Sequence, residues 1–130
     1  MKYLCLCYYD TEAFAGLSPE ECAAVGAACA PHDDRLKATG KVLAIGSLGG
    51  PETWNHFVPG GGRPQMKPGA YVPGRHQAGA FFLVDADSEA EALAVASRHP
   101  TANYGAELGF ALEVRPCERF EFLPRGGGAD

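Results

Sequence analysis

The side chains able to do chemistry near neutral pH are His32, His56, His76 and His99, together with Cys5, Cys7, Cys22, Cys29 and Cys117. His99 stands directly before Pro100, at the end of a helical stretch. A free imidazole has a pKa of about 6.5, so His99 can act as a general acid or base in the physiological range. Cys29 and His32 lie one turn apart on an earlier helix. An imidazolium close to Cys29 would lower its thiol pKa and make it a nucleophile. The plainer alternative has His99 capping the carbonyls of a helix end, with Cys29 as core and His32 as one more residue of a packing stripe.

Tyr71, Arg75 and His76 fall in the loop before a strong apolar strand, and loops carry function more often than strands do. Arg75 offers a planar fork of donors that suits a small anionic ligand such as a carboxylate; the alternative is an exposed polar loop. His56, between Trp54 and Phe57, could line the same cleft or simply pack there. Asn103, Tyr104 and Glu107 form a polar cluster further on. Glu113 and Arg115 alternate on a strand and read as a structural ion pair on one sheet face. His32, His99 and Glu107 have metal-ligand chemistry but no tight spacing such as His-x-x-x-His, so no metal is assigned, and no cofactor.

Cys5 and Cys7 share one face of a strand, without the second Cys or His pair a zinc site needs. They read as small apolar residues. The 130 residues are 46% hydrophobic, enough to bury a core without disulfides or metals. A net charge of −5 argues against a nucleic-acid surface. No apolar run approaches the roughly 18–20 residues that span a bilayer. The start, too short for a signal peptide and running into acidic residues, reads as a first strand, and a cytoplasmic protein is expected.

The elements that must position these residues follow from periodicity. Residues 2–9 read as a central strand bounded by Asp10-Thr11-Glu12. Ser18-Pro19-Glu20-Glu21 is a helix start with a capping box. The helix carries Cys22, Val25, Cys29, His32 and Leu36 as one stripe, with Pro31 expected to kink or split it and Gly40 to close it. Residues 41–46 predict a second strand. Residues 51–78 are an irregular insertion rich in Gly and Pro, with a short strand near 53–58 and a turn at Gly60-Gly61-Gly62 that lacks the helix start of a phosphate loop. Ala80–Val84 is the clearest strand, a helix follows over 89–97, and Leu112–Arg115 alternates as a last strand that Glu118–Phe122 would extend. One domain over 1–122 and a frayed tail over 123–130 are expected.

The opening MKYLCLCYYD, the segment GAFFLVDADSEAEALAVASRHP and the late Glu113-Val114-Arg115-Pro116 resemble the YCII-related family, more narrowly its DGPF-domain branch, over residues 1 to about 122. The resemblance implies a ferredoxin-like β-α-β-β-α-β sheet with helices on one face, of the dimeric α+β barrel type. It implies little about activity, since some relatives are degradative enzymes and others accompany transcription-related proteins. The branch signature falls on Pro68-Gly69-Ala70-Tyr71, so its aspartate is absent, and positions usually Lys and Glu fall on Arg75 and His76, with Gln77 retained. The wider family's proposed His–Asp acid–base pair falls on Cys29, with His32 one turn on, and on His99.

The uncovered sheet face is expected to pack on a second copy. The functional expectation is a small enzyme using His99 chemistry on a small anionic metabolite, with Arg75 or His76 holding the anion; the alternative is a non-catalytic domain binding a small molecule or protein. A haem- or oxygen-handling role is weaker, because nothing in the sequence marks an axial ligand.

Overall fold

A computed structural model describes residues 1–125. The strand β1 (Lys2–Asp10) buries Tyr3, Cys5 and Cys7 on one face and leaves Leu4, Leu6 and Tyr8 half-buried on the other, the period of two that its sequence carries. Asp10 ends it by capping a five-residue helix, α1 (Thr11–Ala15), its carboxylate accepting from the amides of Glu12 and Ala13. The long helix α2 (Pro19–Lys37) begins on the expected capping box, Ser18 with Glu21. The strands β2 (Val42–Ser47), β5 (His76–Asp85) and β6 (Ala111–Pro116) complete one antiparallel sheet in the order β2-β5-β1-β6. This is the expected β-α-β-β-α-β arrangement, with α2 and α3 (Glu89–Ala96) as its crossovers. Residues 55–60 and 63–68 form a separate hairpin, β3 and β4, turning on Gly61 and Gly62, both with positive φ.

The core lies between the sheet and the helices. Tyr3, Cys5, Phe82 and Val84 meet Leu36 of α2 and Ala92, Val95 and Ala96 of α3. Cys5 and Cys7 behave as small apolar residues: burial pushes the Cys5 thiol up to about 12 and Cys7 up to about 11.

Four expectations need correction. The helix α2 is not split at Pro31; the capping box, acidic first turn, and Arg35 and Lys37 in the last turn favour helix on both sides of it. Its stripe is covered only at Leu36: Cys22 is exposed, and Val25, Cys29 and His32 are half-buried, because α2 meets the body mainly at the turn around Pro100. The insertion holds a second strand, β4, beyond the one foreseen. The alternating stretch 118–122 forms no strand, because β1 begins at Lys2, whose carbonyl already takes the amide of Cys117, and no backbone remains to pair beyond it. The expected tail lies in large part, at 126–130, outside the described residues. No described helix is long and apolar enough to cross a membrane.

Candidate functional site

His99 sits at the centre of the chemistry, with partners other than those its sequence position suggests. It ends the turn after α3 and is only 8% exposed. Its ring stacks on Phe82 of β5, centroids 4.9 Å apart. The backbone amide of Thr101 donates to Nδ1 at 3.0 Å, so Nδ1 is the unprotonated nitrogen and Nε2 carries the proton. The Thr101 hydroxyl lies 2.8 Å from the same Nδ1 and also faces the Cys7 sulfur, so its proton can go to either. The Cys7 sulfur lies 3.6 Å from Nε2 and 3.9 Å from Nδ1, against the ring and not along Nε2–H, bringing together residues 92 apart in the chain. Burial pushes the His99 pKa below 6.5, opposed by the Asp33 carboxylate and reinforced by His32. The imidazole is neutral at pH 7.

A cavity of about 200 Å³ lies against this group. Its floor is Cys7 and Tyr9 of β1 with Gly79 and Ala80 of β5. Its walls are Phe14 of α1, Phe110 and the Thr101 side of the turn. Tyr9 meets Phe14 edge-on at 5.2 Å, and Phe14 stacks with Phe110 at 5.7 Å, so the walls are aromatic. The floor is shaped by an irregularity: the β1–β5 register shifts between Cys7 and Tyr8, and the Tyr9 ring lies where a side chain at Gly79 would stand. Cys7 and Thr101 therefore touch both His99 and the cavity.

The remaining expected residues are dispersed. Cys29 and His32 make no hydrogen bond to His99; burial pushes the Cys29 thiol up, and His32 pairs with Arg35 on the helix surface. Arg75 does not present an open fork. Its Nε and one terminal nitrogen both lie 2.8 Å from Oδ2 of Asp10, and its other terminal nitrogen is 3.9 Å from Glu12. The Arg75 guanidinium, against the cost of burial and helped by the Ala13 and Glu12 amides, holds the Asp10 carboxyl below its ordinary range. His76 is exposed and paired across the ladder with Asp10. Tyr71 is exposed, its ring 5.6 Å from that of His56, whose Nδ1 lies 2.8 Å from the Gly69 carbonyl. Glu113 and Arg115 form the expected ion pair at 2.7 Å on the sheet's outer face, and Tyr8 donates to the same Glu113 oxygen across the strands.

Sequence reasoning missed Cys7, Thr101 and the aromatic walls as parts of a site. One signal was legible: in His99-Pro100-Thr101 the Pro fits the first position of a short helical turn, leaving the preceding side chain to cap it. Among the described residues no group of three or more His, Cys, Asp or Glu is placed to hold a metal ion.

The YCII-related domain is the family whose model matches, over residues 1–117. No curated protein matches the chain. Among solved structures it is similar to 5-chloro-2-hydroxyhydroquinone dehydrochlorinase (TftG) from Burkholderia phenoliruptrix AC1100, in complex with 2,5-dihydroxybenzoquinone, at 18% identity and a TM-score of 0.41 over 93% of this chain and 94% of that one.

Proposed function

The chain belongs to the YCII-related family, and on that premise we propose that it is a small-molecule enzyme of the proton-transfer type, with His99 as the acid–base group. The observation that carries the reading is the hydrogen bond from the Thr101 hydroxyl to His99 Nδ1, made at the wall of an aromatic cavity. A substrate in the cavity meets Thr101 Oγ1. As that oxygen takes the substrate proton, its own proton passes to Nδ1; the reverse path returns a proton elsewhere on the substrate, which is isomerisation. The imidazolium formed on the way is favoured by the Asp33 carboxylate. Cys7, with its thiol pKa near 11, stays protonated and is not a nucleophile at neutral pH.

The test is solvent-deuterium exchange into a panel of one-ring ketones and phenols. Exchange above the buffer rate is expected; none across the panel contradicts the enzyme reading. A second reading, a domain that binds such a molecule without transforming it, draws on the fact that the His99 Nδ1 lone pair already accepts from the Thr101 amide. It predicts binding without exchange.

A homodimer is part of the same proposal. Leu4, Leu6 and Phe81 lie on the sheet face away from the helices, where the Phe81 ring rests over Gly46. A second copy packed on the same face would keep this apolar surface from water. Light scattering is expected to give a dimer that Leu6→Glu dissociates; a wild-type monomer contradicts it.

A further inference from the structure

Part of the inner cavity's wall is shared. Thr101 and Phe110 also line a second, wider concavity of about 460 Å³ on their other side. Phe110 stands between the two, its ring within 6.4 Å of Tyr104 and resting where a side chain at Gly105 would stand. The outer concavity is polar where the inner one is not: it is lined by Asn103, Tyr104 and Glu107. The Asn103 amide is already spent on the carbonyls of Ser97 and His99. Glu107 makes no ion pair among the described residues.

Charge around the two concavities has one sign. Neither is lined by Lys or Arg. On α1's side, Arg75 is held by Asp10 and Glu12. Tyr9, on the inner floor, has its phenol pushed up first by burial and then by the Glu52 carboxylate, which places another negative charge near the cavity. A carboxylate buried here would lose its water and meet no cation, a cost of several kcal/mol. An apolar cavity of about 150 Å³ is enough for a benzene ring, so about 200 Å³ takes one substituted ring.

Resting on the proton-transfer reading above, we infer that the two concavities form one site for a one-ring aromatic compound bearing a hydroxyl or amine, the ring against Tyr9, Phe14 and Phe110 and the donor group at Glu107, and that the site rejects anions. Thr101 then stands at the junction, beside the ring carbon or substituent that exchanges its proton.

The test uses benzylamine, benzyl alcohol and benzoate as matched probes of the full chain, with binding followed by amide shifts of Ala80, Thr101 and Phe110 and by calorimetry. Benzylamine and benzyl alcohol are expected to move all three amides, and benzoate to bind at least about tenfold more weakly. In Glu107→Gln, benzylamine is expected to lose about two- to fivefold while benzyl alcohol is nearly unchanged. Benzoate binding as tightly as benzylamine overturns the charge selection, whether or not exchange activity is found. Shifts confined to other residues overturn the two-part site, and binding of these probes at the site with no exchange into the ketone and phenol panel overturns only the catalytic reading.

Discussion

Replacing His99 with Asn is expected to slow solvent-deuterium exchange by about 10²–10⁴-fold, the usual worth of a positioned general base. Asn is chosen because its Oδ1 stands where Nδ1 stood and can still accept from the Thr101 amide, so the turn keeps its cap. Thr101→Val keeps the shape of the wall and removes the hydroxyl that links the cavity to Nδ1, and is expected to fall in the same range. If His99→Asn retains wild-type exchange, His99 is a structural cap and the mechanism fails. The pH dependence has a definite sign. The neutral imidazole is the active form, and burial lowers its pKa. Exchange should therefore be flat through neutral pH and fall only below the ordinary 6.5. The same depressed pKa makes the unfolded chain bind more protons between the folded pKa and 6.5, so His99's contribution to stability is present above 6.5 and is lost as pH falls through the folded value.

Gly109→Ala is expected to destabilise the fold by about 2–4 kcal/mol, read from chemical denaturation. Gly109 has φ of 72°, a left-handed conformation that costs any other residue strain. A Cβ there would stand 2.8 Å from the Asp10 Cβ and 2.9 Å from its backbone nitrogen. Backbone cannot rotate away as a long side chain can, so Asp10 must shift. Asp10 caps α1 and holds Arg75, and α1 carries Phe14, a wall of the cavity. The substitution should therefore weaken probe binding as well as stability. A change within about 0.5 kcal/mol, the range of ordinary surface substitutions, would show that this contact is not rigid.

The strands and α2 were legible because local signals and tertiary need agree there. The alternation of Tyr3, Cys5 and Cys7 is the same pattern that the core uses, and the Ser18–Glu21 box is complete in sequence. β4 was hidden because Arg63-Pro64-Gln65-Met66-Lys67-Pro68 is charged and proline-flanked, which argues against a sheet interior; in a two-stranded hairpin both strands are edges and the prolines do no harm. The stretch 118–122 shows the converse: its alternation is strand-like, but a strand also needs a free partner edge, and sequence does not report one. His99 was legible as chemistry and illegible as geometry. Family alignment pointed it toward Cys29 and His32; α2 does bring His32 and Asp33 close enough to act on its charge, and the β1–β5 pairing and the Pro100 turn add Cys7 and Thr101 as direct contacts. Arg75 was read as a free cation because its counter-charge, Asp10, is 65 residues away and becomes adjacent only when β1 pairs β5.

The central claim is that His99 is a buried, neutral imidazole with its lone pair on Nδ1 and Thr101 hydrogen-bonded to it. Nitrogen-15 NMR of the imidazole through a pH titration tests this directly. The account predicts the Nε2–H form at pH 7 and a pKa below 6.5. An Nδ1–H form, or a pKa at or above 6.5, would contradict it.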